Sequence, residues 1–250
     1  MNKENGVPGT TEADSRLSEI AEFNNKILSV ISHDLRSPLS STIGLIRLLL
    51  RRDKEPLSER QENILRVMER SAVQQMSFIE NLVEISRIER GLLEAHPSPV
   101  PAARIVRRAL EIVSAAAKEK GIGVSDESDG GLWIEADEEK AVHIVHHLLT
   151  NAVKFTNRGG WIKIQTKREG DLVLISVSDN GVGMDPAKTG KLFDLASKCG
   201  TLGTDGEKGT GLGLAICKKL AALMACGICV ESTPGNGTTV TLSFKKANQA

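Results

Sequence analysis

Four short stretches carry residue types whose spacing could do chemistry. SHDLRSPL, Ser32 to Leu39, sets His33 beside Asp34 and places Pro38 four residues after Asp34. A neutral imidazole, with an ordinary pKa near ~6.5, is a nucleophile at physiological pH, and a neighbouring carboxylate can orient it or take its other proton. Pro38 has no N–H to offer the Asp34 carbonyl, and a proline inside a helix costs roughly 3 kcal/mol, so the helix is expected to loosen or bend beside His33. NAVKFT, Asn151 to Thr156, offers at Asn151 a neutral oxygen of the kind Mg2+ takes and at Lys154 a point charge for a phosphate. In DNGVGM, Asp179 to Met184, the Asp179 carboxylate can accept from an exocyclic amine, while Gly181 and Gly183 let backbone approach a flat ring. GTGLGL, Gly209 to Leu214, reads as opening a helix near Thr210, whose free N–H groups and positive dipole end suit phosphates. No Walker A and no dinucleotide fingerprint is present. Singly each signal is weak, since a surface histidine, a solvated helix face and ordinary glycine turns account for them one by one.

The elements that must position these residues fall in two blocks. Residues 1–13 are polar, with Gly and Pro, and read as a flexible tail or linker. From about Glu12 to Arg52 the pattern is helical, with Leu17, Ile20, Ile27, Ile31, Leu45, Leu48 and Leu49 on one broad stripe. A turn at 53–58 leads to Ser58, which with Gln61 makes a capping box for a second helix ending at Gly91. Along that helix Ile64, Met68, Ser71, Gln75, Phe78, Leu82 and Ile85 alternate steps of four and three, a heptad seam. Two helices with so narrow a stripe bury little alone, and a dimeric four-helix bundle over residues 14–94 is the economical solution; packing on the following domain is the other.

The proline-rich AHPSPVP, 95–101, reads as a linker, and 102–250 as a second domain. There the pattern predicts helices over 102–120 and 138–155, strands at 132–137, 161–166 and 172–178, and a glycine-rich loop over 180–209. A helix from near Thr210 and a hairpin of ICVEST and TTVTLSF about PGNG complete it. Helices with an antiparallel-looking sheet make an α+β sandwich.

The totals narrow the function. The chain has 250 residues, ordinary apolar (40%) and charged (26%) content, and a formal net charge of zero, which removes any general argument for binding nucleic acid. No apolar run is long enough to span a bilayer, so the chain reads as a soluble, cytoplasmic piece, with a membrane entering only through a missing upstream region. Cys226 and Cys229 form a C-x-x-C without a second pair; their placement in a strand favours inert thiols over a metal or redox pair. His143, His146 and His147 stand at helical metal-ligand spacing, but no further Zn2+ ligand accompanies them.

Taken together and in order, N-A-x-K-F-T, D-N-G-x-G-M and G-T-G-L-G-L resemble the N, G1 and G2 boxes of the ATP-binding domain of sensor histidine kinases. S-H-D-L-R-S-P-L is similar to the phosphoacceptor H box of the same family. The likeness runs over about residues 15–245. It implies a helical-hairpin dimerisation domain, a four-helix bundle in the dimer, followed by an α/β-sandwich ATP-binding domain of the Bergerat fold. It implies ATP and Mg2+ as cofactors, a homodimer, and a response regulator whose aspartate takes the phosphoryl group from His33. On the matching positions, Asp34 would serve as orienter or base and Ser37 in dephosphorylating the partner. Asp179 would meet the adenine amine, Asn151 the Mg2+ and Lys154 a phosphate. Gly209, Gly211 and Gly213, with Leu212 between them, would form the phosphate-side turn, and Lys208 and Thr210 would add contacts. Phe193 would anchor a flexible lid at 198–208.

The chain departs from the family pattern in three places. His147 stands where the N box usually has Asn or another polar group, and is a second candidate metal contact. Ala196 replaces a frequent lid aromatic, and Ser37 replaces the usual Thr or Asn, which leaves phosphatase activity open. A degenerate, nucleotide-binding dimeric scaffold is therefore the alternative to an active kinase. A chaperone- or topoisomerase-type ATPase gives no account of SHDLRSPL and would want a Glu at position 147.

Overall fold

The computed structural model describes residues 32, 34–51, 57–190, 192–193, 201–207 and 209–249. The expected tail at 1–13, His33, most of the 53–58 turn, Ala196, residues 198–200 and Lys208 lie outside the described residues. The chain divides into two compact units between Arg90 and Gly91.

In the first unit, helix α1 covers 34–50 and runs through Pro38 without interruption. The Ser41 and Thr42 hydroxyls donate to the Ser37 and Pro38 carbonyls at 3.1 and 2.9 Å, bonds that accompany bent helices. Replacing Pro38 with Ala restores an N–H to that turn and is expected to change the rate of phosphoryl transfer into or out of His33; rates equal to wild type in both directions would dismiss the bend.

Helix α2, Glu59–Glu89, starts where Ser58 caps the Gln61 N–H and Gln61 bonds back to the Ser58 N–H, the expected capping box. Gly91 follows it with φ of 64°, the left-handed turn that ends helices. Arg47 on α1 pairs with Glu69 on α2 at 2.7 Å. On α1 Ile46 is buried within the single chain, while Leu45 and Leu48 of the expected stripe are exposed; Leu17, Ile20, Ile27 and Ile31 lie outside the described residues. On α2 Ala72, Ile79 and Ile85 are buried, and the seam residues Ile64, Met68 and Phe78 are exposed, Met68 at 48%.

The second unit is a two-layer sandwich. A five-stranded sheet has the order β2-β4-β5-β7-β6, from β2 (Gly123–Glu127), β4 (Trp161–Glu169), β5 (Leu172–Asp179), β6 (Gly227–Ser232) and β7 (Thr238–Lys245). Helices α3 (Ala102–Glu119), α4 (Glu138–Phe155) and α6 (Gly213–Leu223) contribute the apolar faces, with a short α5 at Pro186–Thr189. Alternation decides the sheet's sides: Ile162, Ile164, Val173, Ile175, Val177, Val240, Leu242 and Phe244 are buried. Hydroxyl pairs Ser176–Thr241 and Ser178–Thr239 line the other face. One polar side and one buried side is what an open sheet covered once produces.

Three expectations change. The sheet is mixed, because β2 runs parallel to β4 while the other pairs are antiparallel. The segment read as a linker holds strand β1, Ser98–Pro101, paired antiparallel with β3, Trp133–Ala136. Prolines 99 and 101 are tolerated there because β1 has only one strand neighbour. The last long helix begins at Gly213, not near Thr210, since Gly211 has φ of 74°, a conformation outside any right-handed helix.

Candidate nucleotide site

Helix α4 is the floor of the site. Asp137 caps it by accepting from the Lys140 N–H, Glu138 and Glu139 suit its positive end, and Ala141, Ile144, Val145, Leu148, Leu149 and Ala152 bury one face. The other residues of its second half are the candidates: His147, Asn151 one turn on, and Lys154. Asp179 closes β5 on the core side of the alternation and is only 9% exposed. One of its oxygens accepts from the Gly181 N–H at 2.8 Å. Burial pushes its carboxyl above the ordinary range, and N–H donation from Gly181 and Thr238 opposes that shift.

The loop after β5 lies on the end of α4. The Val182 N–H donates to the Phe155 carbonyl at 3.1 Å, and a side chain on Gly181 would sit 2.3 Å from that same oxygen. Gly183 has φ of 62° and would place a methyl group 2.0 Å from the Thr233 carbonyl, so both freedoms of glycine are used. The second glycine loop also lies against α4. A methyl on Gly213 would stand 3.2 Å from His147 Nδ1, and one on Gly209 2.6 Å from Lys154 Nζ. The three sequence motifs of this unit are therefore assembled around one helix. Helix α6 starts with no side-chain cap and no acidic residue in its first turn, which leaves its N–H groups for an anion. Leu212 is the residue before it, and the Leu212 N–H donates to the Thr210 hydroxyl at 3.3 Å. Phe193 lies with its ring 5.7 Å from the Lys218 amine on α6.

His147 stacks on His143 with ring centroids 4.7 Å apart, and its Nε2 is buried with no hydrogen-bond partner. Burial first, then repulsion from His143 and His146, holds it down at about 3. Among the described residues there is no group of three or more His, Cys, Asp or Glu set to hold a metal ion. Cys226 is buried, which pushes its thiol up to about 12, while Cys229 is exposed.

The part of the expected lid that is described, 201–207, is fastened rather than free. The Thr204 N–H and hydroxyl donate to the Lys154 carbonyl, and the hydroxyl also to that of Thr156. Lys120 and Glu207, which the sequence reading did not single out, meet beneath this turn at 2.8 Å.

The comparisons with known proteins agree with this geometry. A family model described as "Histidine kinase-, DNA gyrase B-, and HSP90-like ATPase" matches residues 136–248, and one described as "His Kinase A (phospho-acceptor) domain" matches residues 23–91. This chain is a histidine kinase core. Its relatives include the circadian input-output histidine kinase CikA of Synechococcus elongatus, 32% identical over 87% of the chain and 29% of that protein. The sensor histidine kinase RcsC of Escherichia coli is 30% identical over 90% of the chain and 23% of its own length. The kinase core thus spans less than a third of either relative. Among solved structures, full-length ShkA in complex with AMPPNP superposes with a TM-score of 0.70 at 28% identity, covering 90% of the chain and 46% of ShkA. In the kinase core His33 falls inside the phosphoacceptor match, and Asn151, Lys154, Asp179 and Gly209 to Gly213 fall inside the ATPase match. Asp34 and Ser37 are both exposed on α1. Among the described residues no helix is long and apolar enough to cross a membrane.

Proposed function

We propose that this core is an ATP-dependent protein histidine kinase that phosphorylates His33 and passes the phosphoryl group to an aspartate of a response regulator. The observation that carries the reading is the packing of both glycine loops on α4, which itself bears NAVKFT, in a chain that also has SHDLRSPL in a phosphoacceptor match. The site fits a metal nucleotide: a buried carboxylate on a strand end, a partly buried amine, an uncapped helix N-terminus and a buried orphan nitrogen on His147. Asp179 accepts from the adenine amine, and Gly181 and Gly183 give the ring its close backbone wall. Lys154 and the first N–H groups of α6, with Gly209, Thr210, Gly211 and Lys208, take the phosphates. Asn151 would hold Mg2+ through its side-chain oxygen, and neutral His147 would meet it only through water. When bound, Mg2+ supplies neutralising charge on the phosphates. An imidazole nitrogen of His33 attacks the γ-phosphorus as the bond to ADP breaks, and Asp34 takes the proton from the other ring nitrogen. The second step reverses the roles: a receiver carboxylate attacks and the P–N bond breaks. Ser37, four positions after His33 in the sequence, would be the residue to act if the kinase also dephosphorylates its partner.

The exposed Ile64, Met68 and Phe78 seam supports a homodimer through residues 14–94, because a second copy would cover it. A cytoplasmic setting follows from the phosphate donor. The scaffold alternative is not favoured, since both halves of the kinase machinery match their families. Incubating the chain with Mg2+ and γ-labelled ATP is expected to give acid-labile label that His33→Gln abolishes; nucleotide binding without label would return the scaffold.

A further inference from the structure

Lys120 follows the last residue of α3 and is 5% exposed, an unusual place for an ammonium group. Its three N–H donors have three acceptors: the Val153 carbonyl at 2.9 Å, the Lys154 carbonyl at 3.1 Å and Glu207 Oε1 at 2.8 Å. Two of these are carbonyls in the last turn of α4, which no helical N–H satisfies and where the dipole end is negative. The third belongs to the turn at 203–207, itself closed by the Gly203 N–H on the Glu207 carbonyl. A second, exposed cation copies the arrangement: Arg158 donates to the Glu119 carbonyl and pairs with Asp205 at 2.6 Å.

We infer that Lys120 is a positioning residue for the phosphate end of the site, locking the last turn of α4 and the 203–207 turn into one block that aims Lys154. The Lys154 carbonyl is held by Lys120 and Thr204 together. Its side chain runs past Gly203, where a methyl would meet Lys154 Cγ at 2.6 Å, and its amine rests on the Thr201 carbonyl at 2.7 Å, beside Gly209. The amine is thus parked on a neutral acceptor that an anionic phosphate can displace without moving the backbone that carries it. Glu207 completes the lock: burial pushes its carboxyl up, but donation from Lys120 outweighs that and holds it below the ordinary range, so it is a carboxylate at neutral pH. Asp179, which faces the base, touches none of this.

The inference rests on the kinase reading, and its test separates the two. Displacement of a fluorescent ATP analogue by ATP with Mg2+, and by adenosine, gives the affinity added by the phosphates. In Lys120→Met that increment is expected to fall about tenfold, with adenosine affinity unchanged. Glu207→Ala leaves both carbonyl bonds in place and is expected to lose about threefold; it carries the test should Lys120→Met fail to fold. An unchanged increment in a folded variant, or adenosine affinity falling in step with ATP, overturns the positioning role and leaves the kinase standing. A wild-type chain that binds ATP no better than adenosine overturns both.

Discussion

Asp179→Asn is expected to lower ATP affinity by about 10- to 150-fold and to erase the preference for ATP over GTP, with little effect on folding. The reason is the number of acceptors. Asp179 receives the Gly181 N–H at 2.8 Å and a backbone N–H from Thr238, and the adenine amine would be a further donor. An ionised carboxylate has acceptors on both oxygens, whereas an amide turns one of its two atoms into a donor. Whichever way the substituted amide lay, an N–H would face an N–H. Losing one charge-assisted bond of this kind costs about 1.5–3 kcal/mol, which is the quoted range of affinity. Guanine carries an acceptor where adenine carries its amine, so the variant would penalise it less. Protonation does the same to the wild type. Burial raises the Asp179 pKa, so ATP affinity is expected to fall on acidification at a pH above the ordinary aspartate range, and the variant is expected to be flat. The sign for folding is opposite: a carboxyl raised in the folded state contributes stability below its unfolded value and loses it as pH rises through the folded one. Removing the charge therefore separates binding from folding. Isothermal titration with ATP and GTP between pH 5 and pH 8 reads all of this; equal affinities for both proteins would remove Asp179 from the adenine site.

Much of the site was legible because each motif is local. The α4 boundaries follow from Asp137, the acidic first turn and the apolar face, all within twenty residues. The glycines of DNGVGM and GTGLGL announce close approach before anything shows what they approach. What stayed hidden depends on distant pairing. Strand β2, GVSDE, is exposed at every position and gains its identity only from parallel pairing with Trp161–Gln165, so it carries no apolar alternation to read. Strand β1 looked like a linker because its prolines spoil the ladder signal, although one partner strand is enough for it. Lys120 and Glu207 lie 87 residues apart, and each by itself looks like a solvated charge. The one local hint is Gly121, which ends α3 immediately after Lys120 and fixes which way the chain leaves.

Acidifying the metal-free chain from pH 7 to pH 4 is expected to cost the second unit about 3 kcal/mol through His147 alone. The unfolded chain takes up a proton at this residue below its ordinary value of 6.5, while in the folded chain burial holds it down at about 3. Stability from this source is therefore complete above the unfolded value, falls by about 1.4 kcal/mol per pH unit below it, and levels off once the folded ring titrates. The groups that face the ring make the effect larger. His143 stacks on it, His146 is 5.8 Å away, and both repel a second positive charge, while the first turn of α6 seals the other side at Gly213. Carboxylates also titrate in this window, so the useful quantity is a difference. Urea unfolding followed by tryptophan fluorescence reports this unit specifically, because both tryptophans, Trp133 and Trp161, lie in it. Between pH 7 and pH 4 wild type should lose about 3 kcal/mol more than His147→Asn; parallel losses would mean that water reaches the ring and that it titrates as an ordinary histidine. The same shift bears on catalysis. A ring that stays neutral throughout the physiological range gives the N box no pH switch of its own.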